Sequence, residues 1–201
     1  MLESGDTLET QRAQRETELV LRHGRGEPDA FAQLMHCYRA PVRNYLLRCG
    51  IDAATCDDLL QEIFAKIHAA AGDYQPHRPV RAWIFTIAAN TARSHFRHRK
   101  VEQRLFAGGE VERGVGDELS SLSLAQTQET LDWLATEAAG LPLPQREVLV
   151  LCCIEQLEQR EVAEILAMPV ATVKTHLRRA RLQLAKALAR RRLRTQREAR
   201  R

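Results

Sequence analysis

Residues 141–188 read LPLPQREVLVLCCIEQLEQREVAEILAMPVATVKTHLRRARLQLAKAL, and the spacing of apolar residues here decides the fold. Val148, Leu149, Leu151 and Cys152 begin an apolar helix. Glu161-Val-Ala-Glu-Ile-Leu166 gives a short second helix with Val162, Ile165 and Leu166 inward. Ala167-Met-Pro169 then forces a tight turn, because proline cannot continue a helix. A third helix starts at about Val170, with Val173 and Leu177 on its apolar side and Lys174, Arg178, Arg179 and Arg181 outward. The small Ala163 lets two helices approach closely. This is a helix-turn-helix, whose last helix has the dimensions to enter a major groove. Ala167 stands where such turns usually carry glycine. A left-handed alanine costs on the order of 1 kcal/mol, so a strained turn is expected. The competing description is an ordinary three-helix bundle with a basic surface helix.

Toward the N-terminus the composition changes. Between Leu105 and Trp133 the only basic residue is Arg113, against Glu110, Glu112, Asp117, Glu118, Glu129 and Asp132. Glycines and a Ser120–Ser123 run complete a flexible-linker signature. The expected organisation is therefore a first domain over 1–104, a linker over 105–123 and a second domain over 124–201.

The first domain shows helical periodicity three times. Phe31, Leu34, Met35, Tyr38, Val42, Tyr45 and Leu46 share one face, with a kink or short break expected at Pro41. Leu60, Ile63, Phe64, Ile67 and Ala71 form a second set. Thr55 and Asp58 give that set a capping-box-like start, and Gly72 a stop. After a loop holding Pro76 and Pro79, a third stripe runs through Val80, Trp83, Ile84, Ile87, Ala88 and Thr91. Its opposite face carries Thr86, Asn90, Arg93 and Arg97 at helical spacing. A solvated face looks the same, but an aromatic-containing loop feeds directly into this one. Phosphates call for arginine or lysine and exposed bases for stacking partners.

The whole chain agrees with a helical, all-α protein. Of 201 residues 44% are hydrophobic, enough for a core, while glycine (10), proline (7) and the aromatics (Phe 5, Trp 2, Tyr 3) are too few for a sandwich or barrel. A net charge of +4 permits a polyanionic partner. The first ten residues are polar and acidic, unlike a signal peptide. The longest apolar run, Val148 to Ile154, falls far short of a membrane span of about 20 residues, so a cytoplasmic protein without membrane insertion is expected. Five cysteines without a C-x-x-C spacing argue against a disulfide framework. No cofactor is expected.

Both halves together resemble the sigma-70 family of RNA polymerase sigma factors, in the extracytoplasmic-function (ECF) subgroup. Asp58-Leu-Leu-Gln-Glu-Ile-Phe64 is similar to the family's D-L-x-Q-E-x-F, and Arg78-Pro-Val-Arg-Ala-Trp-Ile-Phe-Thr-Ile-Ala-Ala-Asn90 to its R-P-F-R-A-W-L-F-x-I-A-x-N. Gln145-Arg-Glu-Val-Leu149, Glu161 to Leu166 and Thr172 to Arg181 match its second conserved domain. The resemblance covers about Glu27 to Leu188 without the linker. It departs at Val80, where phenylalanine is usual, and at Cys152 and Cys153, where arginine and an aromatic are common.

The resemblance implies a non-enzymatic initiation factor made of two small helical domains. The first would dock on the β′ clamp of core RNA polymerase and open the −10 element of promoter DNA. The second would read the −35 element and touch the β flap, and a cognate anti-sigma factor is usual. Asp57, Asp58, Gln61, Glu62 and Phe64 then become the polymerase-docking residues. Tyr74, Gln75, His77, Arg78, Trp83, Thr86, Asn90, Arg93 and Arg97 become those that capture unpaired −10 bases. Opening DNA costs a few kcal/mol per flipped base, which a pocket and a stacking group must offset. Trp83 suits that stacking role and a core position equally.

On the third helix, Thr172, Lys174, Thr175 and Arg178 point away from Val173 and Leu177 and face the groove. Arg178 can pair bidentately with a guanine edge, while Arg179 and Arg181 flank that face and suit phosphates. Other residues give weaker signals. His95 with His98 and the His36–Cys37 pair have no second cluster at ligand spacing, so no metal site is expected. Cys152 and Cys153 read as buried small hydrophobes, with redox sensing as the alternative. The arginine-rich tail reads as a frayed helix end or a phosphate-binding extension. A stand-alone helix-turn-helix regulator remains the rival reading, with a helical metalloenzyme the poorest.

Overall fold

The computed structural model describes residues 3–105, 133, 134 and 136–198. The chain splits into two compact units, Met1–Leu46 with Ala53–Glu110, and Leu47–Asp52 with Val111–Arg201. Among the described residues all regular structure is helical. Of the linker expected over 105–123, Leu105 ends a helix and residues 106–123 lie outside the described ones.

In the first unit α1 (Glu3–Gly24), α2 (Pro28–Arg48), α3 (Ala53–Ala70), a single 3-10 turn (Ala71–Asp73) and α4 (Val80–Leu105) follow in order. Their core is built from Leu34, Tyr38, Val42 and Leu46 of α2, Ile63 and Ile67 of α3, and Ile84, Phe85 and Ala88 of α4, all buried. Burying each large side chain contributes about 1.5–3 kcal/mol, so this apolar set dominates the unit's stability. Tyr45 meets Phe85 edge-on at 5.6 Å. The helix runs through Pro41, so of the expected kink or short break the break is absent. Tyr38 and Val42 are fully buried on either side of it, and that packing outweighs one lost backbone hydrogen bond.

The periodicity did not announce α1. Its inward face carries Leu19 and Val20 but also a carboxylate, Glu16, only 7% exposed. Burying that charge is tolerable because both oxygens are used. Tyr38 Oη donates to Glu16 Oε2 at 2.5 Å, and Arg12 Nε donates to Oε1 at 2.8 Å. Burial, and then the Glu16 charge, push the Tyr38 phenol above its usual range. Gly26 ends the α1 turn at φ +94°, a conformation costly for any residue with a Cβ.

Two boundaries differ from expectation. Helix α3 begins at Ala53, two residues before Thr55, directly after Asp52, a residue type that favours helix starts. Gly72 lies inside the 3-10 turn rather than at the end of α3.

The second unit holds α5 (Leu143–Cys153), α6 (Gln159–Ile165) and α7 (Val170–Glu198), with residues 133, 134 and 136–139 also helical. Leu141, Val148, Leu151, Val162, Ile165, Leu166, Val173, Leu177 and Ala180 are buried together. Helix α6 starts two residues before Glu161, whose side chain accepts the Glu158 N–H at 2.8 Å. The turn after it has the expected strain. Ala167 sits at φ +50°, and Met168 N–H reaches the Ala163 carbonyl at 2.9 Å to close the turn. Gln156, in the preceding loop, is a second left-handed residue at φ +53°.

The cysteines correct the sequence reading. Cys152 is half-buried and Cys153 exposed, because α5 ends there and its last turn faces outward. Burial and the neighbouring Cys153 push the Cys152 thiol up to about 11.

Candidate functional site

Three surfaces gather the residues singled out in the sequence. The first is a groove of about 410 Å³ between α2 and α3. Phe31, Leu60 and Phe64 give its apolar lining, with Asp57, Gln61, Arg39 and His68 around them. Asp57, Gln61 and Phe64 therefore come together on one feature. Phe64 is 5% exposed and contributes a wall rather than a projecting side chain. Asp58 and Glu62 are exposed one row further round α3, where Glu62 pairs with Lys66 at 2.6 Å. Lys66 also donates to Thr91 Oγ1 of α4 at 3.0 Å. Asp57 lies 3.7 Å from Arg43, a surface pair worth at most about 1 kcal/mol, so its charge stays available to a partner. Periodicity placed Phe31 and Met35 on a helix face. The groove they share with α3 required the packing of the two helices.

The second surface is the loop entering α4. Arg78 Nη2 donates to Thr86 Oγ1 at 2.7 Å, and Thr86 donates onward to the Ala82 carbonyl at 2.8 Å. Tyr74 Oη donates to the Arg78 carbonyl, so the two ends of the loop are tied to each other and Arg78 ties them to α4. Tyr74 and Trp83 rings stand 5.0 Å apart, tilted by 53°, and Trp83 is only 8% exposed. Gln75, His77, Asn90 and Arg97 are exposed, while Arg93 is half-buried. Of the two positions the sequence allowed for Trp83, the fold uses the buried one.

The third surface is the outer face of α7. Lys174, Arg178, Arg179 and Arg181 are exposed, and Thr172 and Thr175 half-buried. Thr175 spends its hydroxyl on the Ala171 carbonyl at 2.9 Å. Arg181 donates to Cys153 Sγ at 3.4 Å, a contact that the sequence spacing gave no means to foresee. Among the described residues no cluster of three or more His, Cys, Asp or Glu side chains is placed to hold a metal ion, and no helix is long and apolar enough to cross a membrane.

Comparison with known proteins bears directly on these surfaces. Residues 34–101 match the family description "Sigma-70 region 2", and residues 131–184 match "Sigma-70, region 4". The RNA polymerase sigma factor CnrH of Cupriavidus metallidurans is 32% identical over 180 residues, covering 83% of this chain and 91% of that protein. The chain belongs to the sigma-70 family, in its ECF group.

As a sigma factor it binds core RNA polymerase and directs promoter-specific transcription initiation. Bacillus subtilis SigW, an ECF RNA polymerase sigma factor, is 30% identical over 177 residues, covering 82% of this chain and 91% of SigW. Among solved structures, CnrH in complex with the cytosolic domain of CnrY aligns with TM-score 0.66 at 26% identity, covering 87% of this sigma factor and 97% of that chain. The Bartonella quintana sigma factor RpoE, solved with the anti-sigma factor NepR, shares the fold at TM-score 0.68 and 22% identity, covering 79% of this chain and 96% of that one. The first two surfaces lie within or beside the region 2 match, and the helix-turn-helix within the region 4 match.

Proposed function

We propose that the work of this sigma factor is divided between residues 1–104 and 124–201, joined by the segment 105–123. The first part docks on the β′ clamp through Asp57, Asp58, Gln61 and Glu62, with Phe64 as the apolar wall of the contact. It then captures −10 bases with the loop Tyr74–Arg78 and the α4 row Thr86, Asn90, Arg93 and Arg97, with Trp83 backing Tyr74. The second part reads −35 with Thr172, Lys174, Thr175 and Arg178, holds phosphates with Arg179 and Arg181, and meets the β flap. The chain itself carries out no chemistry, since polymerase supplies the reaction. It acts in the cytoplasm.

The observation that carries this reading is the contrast of sign between the exposed rows. Acidic and amide side chains project from α3 beside an apolar groove, whereas every charged residue of α7 before Glu198 is basic. A protein partner suits the former and a polyanion the latter. Because CnrH has been solved with the cytosolic domain of CnrY, we also propose control by an anti-sigma protein that competes for one of these surfaces. The test is charge reversal of α3. Asp58→Arg with Glu62→Arg abolishes co-elution with core polymerase and run-off transcription, while the helical circular dichroism is retained. Co-elution unchanged by the double variant would remove α3 from the docking surface.

A further inference from the structure

Helix α7 continues well past the reading segment. Its 29 residues span about 43 Å at 1.5 Å per residue, and the region 4 match stops at residue 184. The region 4 match therefore does not reach Lys186–Arg194. This extension is packed rather than loose. Ala187 is buried, and the Arg191 guanidinium lies 5.1 Å from the Trp133 ring centroid, a cation–π distance. Trp133, Glu137 and the α7 arginines border a cleft of about 660 Å³. Beside that packed face the helix presents a basic row, whose Arg190 and Arg194 stand on the rim of the cleft. Arg179, Lys186, Arg190 and Arg194 follow one another at steps of seven, four and four, which keeps them on one side of α7. Arg179, Lys186, Arg190 and Arg194 are all exposed. No acidic residue occurs in α7 before Glu198, and among the described residues Glu137 is the carboxylate on the cleft wall.

We propose that Lys186, Arg190 and Arg194 form a duplex-DNA phosphate clamp that extends the footprint of α7 beyond the −35 bases. This rests on the reading of α7 as the helix that enters the groove. Charge complementarity selects the occupant, since a straight row of like charges on one rigid helix matches a regular phosphate backbone. From Arg178 to Arg194 the helix advances about 24 Å, most of one duplex turn, so the contacts fall on flanking DNA and carry no sequence preference.

The experiment measures binding of the full chain to a random-sequence duplex of about 30 base pairs by fluorescence anisotropy, between about 50 and 200 mM salt. Replacing Lys186, Arg190 and Arg194 together by Gln, a good helix former, should lower the salt slope by about 2–3 and weaken binding at least about tenfold near 100 mM. Arg190→Gln alone should lower the slope by about 1, and Arg190→Lys with Arg194→Lys should preserve it, because a point charge suffices. An unchanged slope in the triple variant overturns the clamp. So does an unchanged slope accompanied by lost association with core polymerase, which would give the row to an acidic protein surface. Arg178→Ala on a promoter panel separates the two levels. If it alters base preference while the triple variant leaves the slope unchanged, the reading helix stands and the clamp falls. If it is blind to sequence while the triple variant shifts the slope, the clamp stands and the reading face is misplaced.

Discussion

The α4 surface and the α7 surface both present a polar row on one long helix, yet they are built in opposite ways. On α4 the first residue of the polar row, Thr86, is woven into the fold. Arg78 is bonded to Thr86, Tyr74 to the Arg78 carbonyl, and the Tyr74 and Trp83 rings pack together in the interior. On α7 the long basic side chains stand outside a core that Val173, Leu177 and Ala180 close without them. A single-stranded base presents no fixed scaffold, so a surface that holds it has to be shaped beforehand. Duplex DNA presents its own regular scaffold, and flexible side chains on a rigid helix suffice to meet it. On the proposed roles, recognition and stability share the same side chains in one region and separate in the other.

The largest effect that would break this comparison lies at Trp83. Trp83→Ala should destabilise the protein by about 3 kcal/mol or more, as expected for a truncated buried aromatic, and lose promoter opening along with stability. An unchanged urea midpoint would mean that Trp83 belongs to the surface after all. Next comes Arg178→Ala, expected to cost about 1–3 kcal/mol in holoenzyme binding at the cognate −35 element while the unfolding free energy stays within about 0.5 kcal/mol. Fluorescence anisotropy and urea unfolding on the same preparation check both halves.

Tyr74→Phe is smaller. Loss of the bond to the Arg78 carbonyl should cost about 1 kcal/mol of stability, and the loosened loop should show as faster amide exchange between Gln75 and Arg78. Smallest is Ala167→Gly, which relieves a left-handed alanine but gives the unfolded chain more freedom. The difference leaves about 0.5 kcal/mol of stabilisation, readable as a raised melting temperature without change in promoter preference.

The helix-turn-helix was legible because its signals are local. Val162, Ile165, Val173 and Leu177 mark their faces by spacing alone, and Ala167 betrayed its strain by being an alanine in a turn. The hydrophobic faces of α2, α3 and α4 were legible for the same reason. Helix α1 was not, since Glu16 makes sense on an inward face only when Tyr38, 22 residues later, stands opposite. Trp83 fitted two roles because an indole on an apolar stripe next to a loop is compatible with both until Tyr74 is seen to cover it. The outward turn of Cys153 depended on where α5 stops, and helix ends are the least determined part of any periodic pattern. The motif named Asp57, Gln61 and Phe64 together, but the groove they line needed Phe31 from another helix.

The Glu16–Tyr38 bond also bears on how this protein is cut into pieces. A fragment started at residue 34, where the region 2 match begins, would strip away Leu19, Val20 and the Glu16 carboxylate. It would keep Tyr38 with its hydroxyl in the middle of an apolar patch and no acceptor from α1. Such a fragment should expose a sticky face and aggregate on expression, and dissection that respects the folding unit keeps the chain from at least Arg12 onward.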